Sequence, residues 1–334
     1  MELTNQTPFP PFVFESFGPS DEPLHVVFCR GTFDIQADGK LTVADEQQPV
    51  VLADKYRTEP LRSSVEVDTD LVPYKANTDI TLNADAYSSG GVPKTDWLVG
   101  LSIGALQYSL RVTGPRQWEF SRIGGWKLTK AVPVNHVPLH YEYAFGGKQI
   151  QDNEETVFEE NPVGVGFANP KFADTSLPIR APQIEFPDDP VTQLGVIHRP
   201  AGCGPIAKHW LPRRNRCGTA DAKWKESRWP MRPTDFDFGY YQCAPDGLRY
   251  CGYIKGNEKV EICGCSVKGK KTFQLPGLSI AALLVGKGFS ITVRPMLIDT
   301  LHIDLGRQQA YLTWRLTEPK TSELERISLA SFSL

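Results

Sequence analysis

Punctuation constrains this chain more than any other feature. Short runs rich in Val, Ile, Thr, Tyr and Phe are cut again and again by Gly, Pro, Asn and Asp. Leu24–Ile35, LHVVFCRGTFDI, is followed by Asp38-Gly39, a hairpin signal, and then by KLTV. Val65–Val67, DITLNADAY, DWLVGLSI and LQYSLRVTGPRQWEF continue the pattern. The last third brings KVEICGCSV, KTFQL, LSIAALLV, FSITVRP, MLIDTLHIDL and QAYLTWRL. Runs this short suit strands, and no long segment sustains a helical period. The expected fold is mainly β, with antiparallel sheets in a sandwich- or barrel-like arrangement, long ordered loops and little helix. Two short helical pieces are predicted. One lies around Ala220–Ser227, with Thr219 as N-cap. The other is in the tail, where Ser322 and Glu325 match a capping box and Leu324, Ile327 and Leu329 form an apolar side.

At 334 residues the chain is at the upper edge of what one core serves. The expected organisation is a single region, 1–334, with two closely packed β-rich halves, 20–131 and 250–318, tied by a loop-rich segment, 132–249. Val132–Pro190 is dense in Pro, Gly, Asn and Asp, and ordered loops of that length are usually functional. Pro8–Pro19 alternates Phe and Pro, so it should be extended and dock its Phe rings. In MLIDTLHIDL, alternation puts Leu297, Asp299, Leu301, Ile303 and Leu305 on one face. Asp299 then needs a partner such as Arg294 or Arg315.

The tie between the halves is unusual in composition. Arg199–Tyr250 holds seven Arg and three Lys against four Asp and one Glu, a local charge of +5 in a chain of net charge −3. Three of the seven Trp are here. Trp and Arg concentrate in the buried centres of interfaces, so Trp210, Arg213, Arg214, Trp224, Arg228 and Trp229 are candidates either for partner binding or for anchoring the fold. Asp221, Asp235, Asp237 and Arg232 are predicted to form a structural ion network, since Arg–carboxylate pairs lock irregular chain in place. The competing reading uses Asp235 and Asp237, on one face of a strand, with Glu142 as the acid/base set of a hydrolase or carbohydrate-active enzyme.

Other chemistry is poorly supported. His198, Cys203, His209 and Cys217 lack the paired spacing of a zinc site, as does Cys263-Gly264-Cys265, so no metal and no cofactor are expected. Gly100-Leu101-Ser102-Ile103-Gly104 fits GxSxG, but the following residues read as a strand where a nucleophile elbow needs a helix. Gly164-Val165-Gly166 precedes Ala168-Asn169-Pro170, which does not start a helix, so it reads as a turn and not a phosphate cradle. The small negative charge and the lack of a basic run argue against nucleic acid or an anionic membrane as partner. Apolar runs such as Leu278–Val285 are too short to span a bilayer, and MELTNQTPFPPFVF has no secretory pattern. Seven Cys, an odd number thinly spread, suit reduced thiols in a cytoplasm.

Several blocks in one order carry a resemblance. They are GTFDI with DGKL at Gly31–Leu41, DLVPYKANTDI at Asp70–Ile80, GPRQW at Gly114–Trp118 and PLHYEYAFGG at Pro138–Gly147. NPVGVGF, GCGPIAKHWLPRR, CGTADAKWKESRWPMRPTDFDFGYYQCAPD and IDTLHIDLGRQQAYLTWR complete the set. Together they resemble the adaptor, or chaperone-like, family of bacterial type VI secretion systems that accompanies PAAR-like effectors. Cys29-Arg30-Gly31 and Asp246-Gly247 depart from that family's usual residues. The resemblance implies a non-enzymatic cytoplasmic role. Such an adaptor holds a PAAR-like effector domain and helps seat it on the VgrG spike.

Overall fold

The computed structural model describes residues 2–151, 154–321 and 323–333. The protein is mainly β, its sheets are mostly antiparallel, and none closes into a barrel. The central sheet runs in the order Pro11–Phe17, Pro23–Ile35, Gln309–Pro319, Leu297–Asp304, Thr78–Asn83, Arg249–Tyr250, with Leu41–Val43 pairing Pro23–Ile35 on the side. A second sheet runs Ile184–Glu185, Leu106–Thr113, Asp96–Ile103, Lys259–Cys263, Lys271–Gln274. Both draw strands from the two ends of the chain. The β-rich segments 20–131 and 250–318 are therefore interleaved rather than stacked as separate halves, and one apolar core joins the sheets.

A third sheet closes the molecule. Its order is Glu2–Asn5, Leu324–Ser333, Leu278–Gly286, Ile291–Pro295, with the first strand parallel to the last strand of the chain. The tail helix expected from the capping box is therefore corrected to a strand. Ser322 lies outside the described residues, and Ile327 and Leu329 reach the core from alternate strand positions. Register with Leu278–Gly286 decides the matter, because a ten-residue strand paired along that side, and over Arg326–Leu329 on the other side too, outweighs one marginal helical turn.

Local expectations fared unevenly. Gly39 turns the predicted hairpin at φ 84°, and a Cβ there would sit 2.8 Å from the Thr272 carbonyl oxygen, so the turn needs glycine twice over. Phe9, from the Phe/Pro segment, is buried and stacks on Trp314 at 5.4 Å. Asp299 does find Arg315, at 2.5 Å, while Arg294 pairs with Glu318. The clean alternation around Asp299 fails, however. A register shift between Ile298 and Thr300 buries Ile298 beside Asp299 and leaves Leu297 exposed.

Candidate docking surface

The Arg/Trp-rich stretch divides near residue 214. Its first part is core. Trp210 is fully buried and meets Tyr141 edge to face at 5.2 Å. Arg213 is fully buried too: Nη1 donates to Asp68 Oδ1 and to the Ile206 carbonyl, each at 2.9 Å, and Nε donates to the Tyr240 carbonyl at 2.8 Å. Burial pushes the Asp68 carboxyl up, but Arg213, Lys208 and Lys75 outweigh it and hold the group below its usual range.

Asp68 belongs to a buried ionic cluster that sequence reasoning did not pick out. Arg30 pairs with Asp70 at 3.3 Å, and Lys75 Nζ sits 2.9 Å from Asp79 Oδ2 and 2.9 Å from Thr300 Oγ1. Asp79 also accepts from Gln242 Nε2 and from the Cys243 and Ala244 amides, which fastens the end of the central stretch to the sheet. Burial lowers the Lys75 ammonium, yet Asp79 and its neighbours raise it overall and keep it charged. His302, on the same cavity wall, is driven down to about 3 by burial and by Arg30, and so stays neutral. The cavity they enclose is about 10 Å³, room for about one water and for no substrate. Asp70, Lys75 and Asp79 all lie in the DLVPYKANTDI block. The available signal was three charges in eleven residues leading into a strand.

The second part, Arg216–Tyr241, forms an arm over the edge of the central sheet. Arg228 Nη2 holds both oxygens of Asp21, at 2.9 and 2.8 Å. Arg232 donates to the Phe17 carbonyl at 2.7 Å, to Ser16 Oγ at 3.2 Å and to the Tyr241 hydroxyl at 3.1 Å, and it lies over the rings of Phe236, Phe238 and Tyr241. Helix Ala222–Ser227 is capped by Asp221, which accepts from the Trp224 amide at 2.8 Å. Thr219, the expected cap, is engaged elsewhere, since its amide and hydroxyl both donate to Asp235. Trp224 Nε1 donates to the Met231 carbonyl, and its ring meets Trp229 edge to face at 5.7 Å. Trp229 itself is 67% exposed. Arg214, also exposed, pairs with Glu159.

The predicted ion network is mostly replaced by other contacts. Of its four members only Asp237 makes an ion pair among the described residues, to Arg216 at 2.8 Å. Asp221 caps a helix, Asp235 bonds Thr219, and Arg232 spends its donors on neutral oxygens. Short polar side chains beside turns satisfy nearby amides first, which spacing alone underweights. The Thr219 amide and hydroxyl also hold the Asp235 carboxyl below its ordinary value.

The carboxylates of the hydrolase reading are each tied down locally. Glu142 accepts from the Ser64 amide and hydroxyl, both at 2.8 Å, while Asp235 and Asp237 serve the arm. Ser102 sits in a strand that turns at Gly104 into another strand, so the elbow geometry is missing there. His198 bonds Asp189, Cys203 donates to the Leu82 carbonyl, and Cys217 donates to the Gly218 carbonyl. Burial lowers His209, with Arg214 adding to it. Among the described residues, no three His, Cys, Asp or Glu side chains are placed to hold a metal ion. All seven cysteines are free, and burial pushes the Cys203 thiol up to about 12.

One further surface is open. Ile291–Pro295 is the outermost strand of the third sheet, and every residue of it is exposed, including Ile291 and Val293. No described helix is long and apolar enough to cross a membrane. No curated protein and no solved structure matches this chain. The model of the family described as "Uncharacterized protein conserved in bacteria (DUF2169)" matches residues 20–315, and the chain belongs to that bacterial family.

Proposed function

We propose that the protein is a non-enzymatic adaptor of a bacterial type VI secretion system. It holds a PAAR-like effector domain in the cytoplasm and helps seat it on the VgrG spike. Family membership together with the ordered sequence blocks supports this reading. The observation that carries it is Trp229, 67% exposed and backed by Trp224 on an arm stapled through Arg228 and Arg232. A large aromatic ring on a pre-ordered support can bind with little further loss of conformational entropy. Arg228 and Trp224 position it, while Trp210 and Arg213 serve the core.

The test is co-purification of the tagged protein with a PAAR-like effector domain, followed by affinity measurement. Wild type retains the effector, and Trp229→Ala loses about 2 kcal/mol of binding, roughly thirtyfold in Kd, at unchanged melting temperature. If wild type binds and Trp229→Ala binds equally well, the partner uses the open Ile291–Pro295 edge by strand addition. A wild-type protein that recovers no PAAR-like domain sinks the adaptor reading.

A further inference from the structure

A cleft of about 470 Å³ opens beside the three-stranded sheet of Gly125–Leu128, Gln117–Ser121 and Ile179–Arg180. Its charged lining residues are Arg116, Lys130 and Arg180, and no carboxylate lines it. Gln117 and Arg180 are directly opposite in register, so their side chains share one face, while Trp118 on the other face fills a small separate core. Lys130 and Arg180 are exposed, and neither charge has a partner among the described residues.

Arg116 is the built part of the site. Its side chain is 10% exposed and held by Glu185 at 2.9 Å and by the Pro182 and Val191 carbonyls, yet its buried Nε has no partner. Glu185 is itself shared with Arg111 and the Val191 amide, so both of its oxygens are already engaged. Glu119, two residues along the same strand face, accepts from Gln117 Nε2 at 2.8 Å and lies outside the lining.

We propose that this cleft binds an acidic peptide segment of a protein partner, with carboxylates against Lys130 and Arg180. Charge complementarity is the argument: two uncompensated cations face one cleft on a chain whose net charge is −3. Pro115 and Val132, the latter 58% exposed, add apolar surface to the cleft that suits the aliphatic stems of acidic side chains better than a free hydrated anion. The site is independent of the Trp229 surface and of the adaptor reading.

Fluorescence anisotropy with a labelled hexaglutamate peptide at low salt tests it, with inorganic phosphate as competitor. The intact wild type binds the peptide, and binding weakens as salt is added. Lys130→Gln and Arg180→Gln each weaken it about tenfold, as loss of a charge-assisted hydrogen bond does, at unchanged melting temperature because neither side chain holds a partner. Lys287→Gln, in the turn between two strands of the third sheet, leaves it unchanged. No peptide binding by wild type, or full affinity in the Lys130→Gln/Arg180→Gln double variant, overturns the proposal. So does phosphate displacing the peptide at equal affinity, which marks a simple anion site.

Discussion

Arg213 Nη1 and Asp68 Oδ1 meet at 2.9 Å across 145 residues of sequence, with both side chains sealed from solvent. This contact fixes the start of the Arg/Trp-rich stretch to the segment leading into the central sheet. Arg213→Met leaves Asp68 with Lys208 alone, 3.9 Å away, as its ion-pair partner. Breaking a buried pair from one side costs about 3–5 kcal/mol. Urea denaturation should show a loss of that size; a loss within error of wild type would remove the pair from the core's account.

Two tryptophans of the same stretch should behave in opposite ways. Trp210→Ala empties a fully buried site and should cost about 3–5 kcal/mol of stability. Trp229→Ala removes an exposed ring and should leave the melting temperature where it was, while effector retention drops. Equal destabilisation by both would mean that Trp229 packs in the folded arm and is not offered to a partner.

The two classes of aspartate separate in the same manner. Asp235→Asn trims a solvent-exposed bond to Thr219 and should fold with a melting temperature near wild type. Asp79→Asn weakens the partner of buried Lys75 and reshuffles three hydrogen bonds, so it should melt clearly lower. Differential scanning calorimetry of the two variants checks the ranking. If Asp235→Asn keeps its stability but abolishes a measurable turnover, the hydrolase reading returns.

Acid should weaken the fold before the carboxylates titrate. His302 is lowered to about 3 and His140 to about 4, both first by burial, against 6.5 for the ordinary group. Below pH 6.5 the unfolded chain takes up protons that these folded-state rings refuse. Their contribution is therefore complete above pH 6.5 and lost as pH falls toward 3 to 4. Each refused proton costs about 1.4 kcal/mol per pH unit in that window. Melting temperature against pH should fall across it, and His302→Gln should flatten the slope by about one proton. A slope identical to wild type would show that His302 protonates freely in the folded protein.

Much of the secondary structure was legible from residue order alone. Asp38-Gly39 turns at φ 84°, a backbone conformation that favours glycine, and that requirement is local; the close Thr272 carbonyl is added by the fold. That Asp299 needs an Arg partner is legible, because a carboxylate among apolar residues has to find an opposite charge; sequence offers both Arg294 and Arg315, and the fold chooses Arg315. The tail's capping box predicts a short helix, and the fold makes a strand there, since the pairing comes from Leu278–Gly286 and Glu2–Asn5, segments distant in sequence.

The residues that separate core from surface were decided only by tertiary structure. Trp210 and Trp229 stand nineteen positions apart in one uniformly Arg- and Trp-rich stretch, and composition treats them alike. What distinguishes them is what the folded chain places beside each: Tyr141 and the shared apolar core for Trp210, open solvent for Trp229. The same holds for the charges. Sequence shows that Asp70, Lys75, Asp79 and Arg213 exist, but burial makes their pairing obligatory, and burial is a property of the packed sheets. Sequence by itself thus determined the β character and the turn positions, which depend on neighbouring residues. Packing alone decided which of the Arg and Trp side chains remain free to meet a partner.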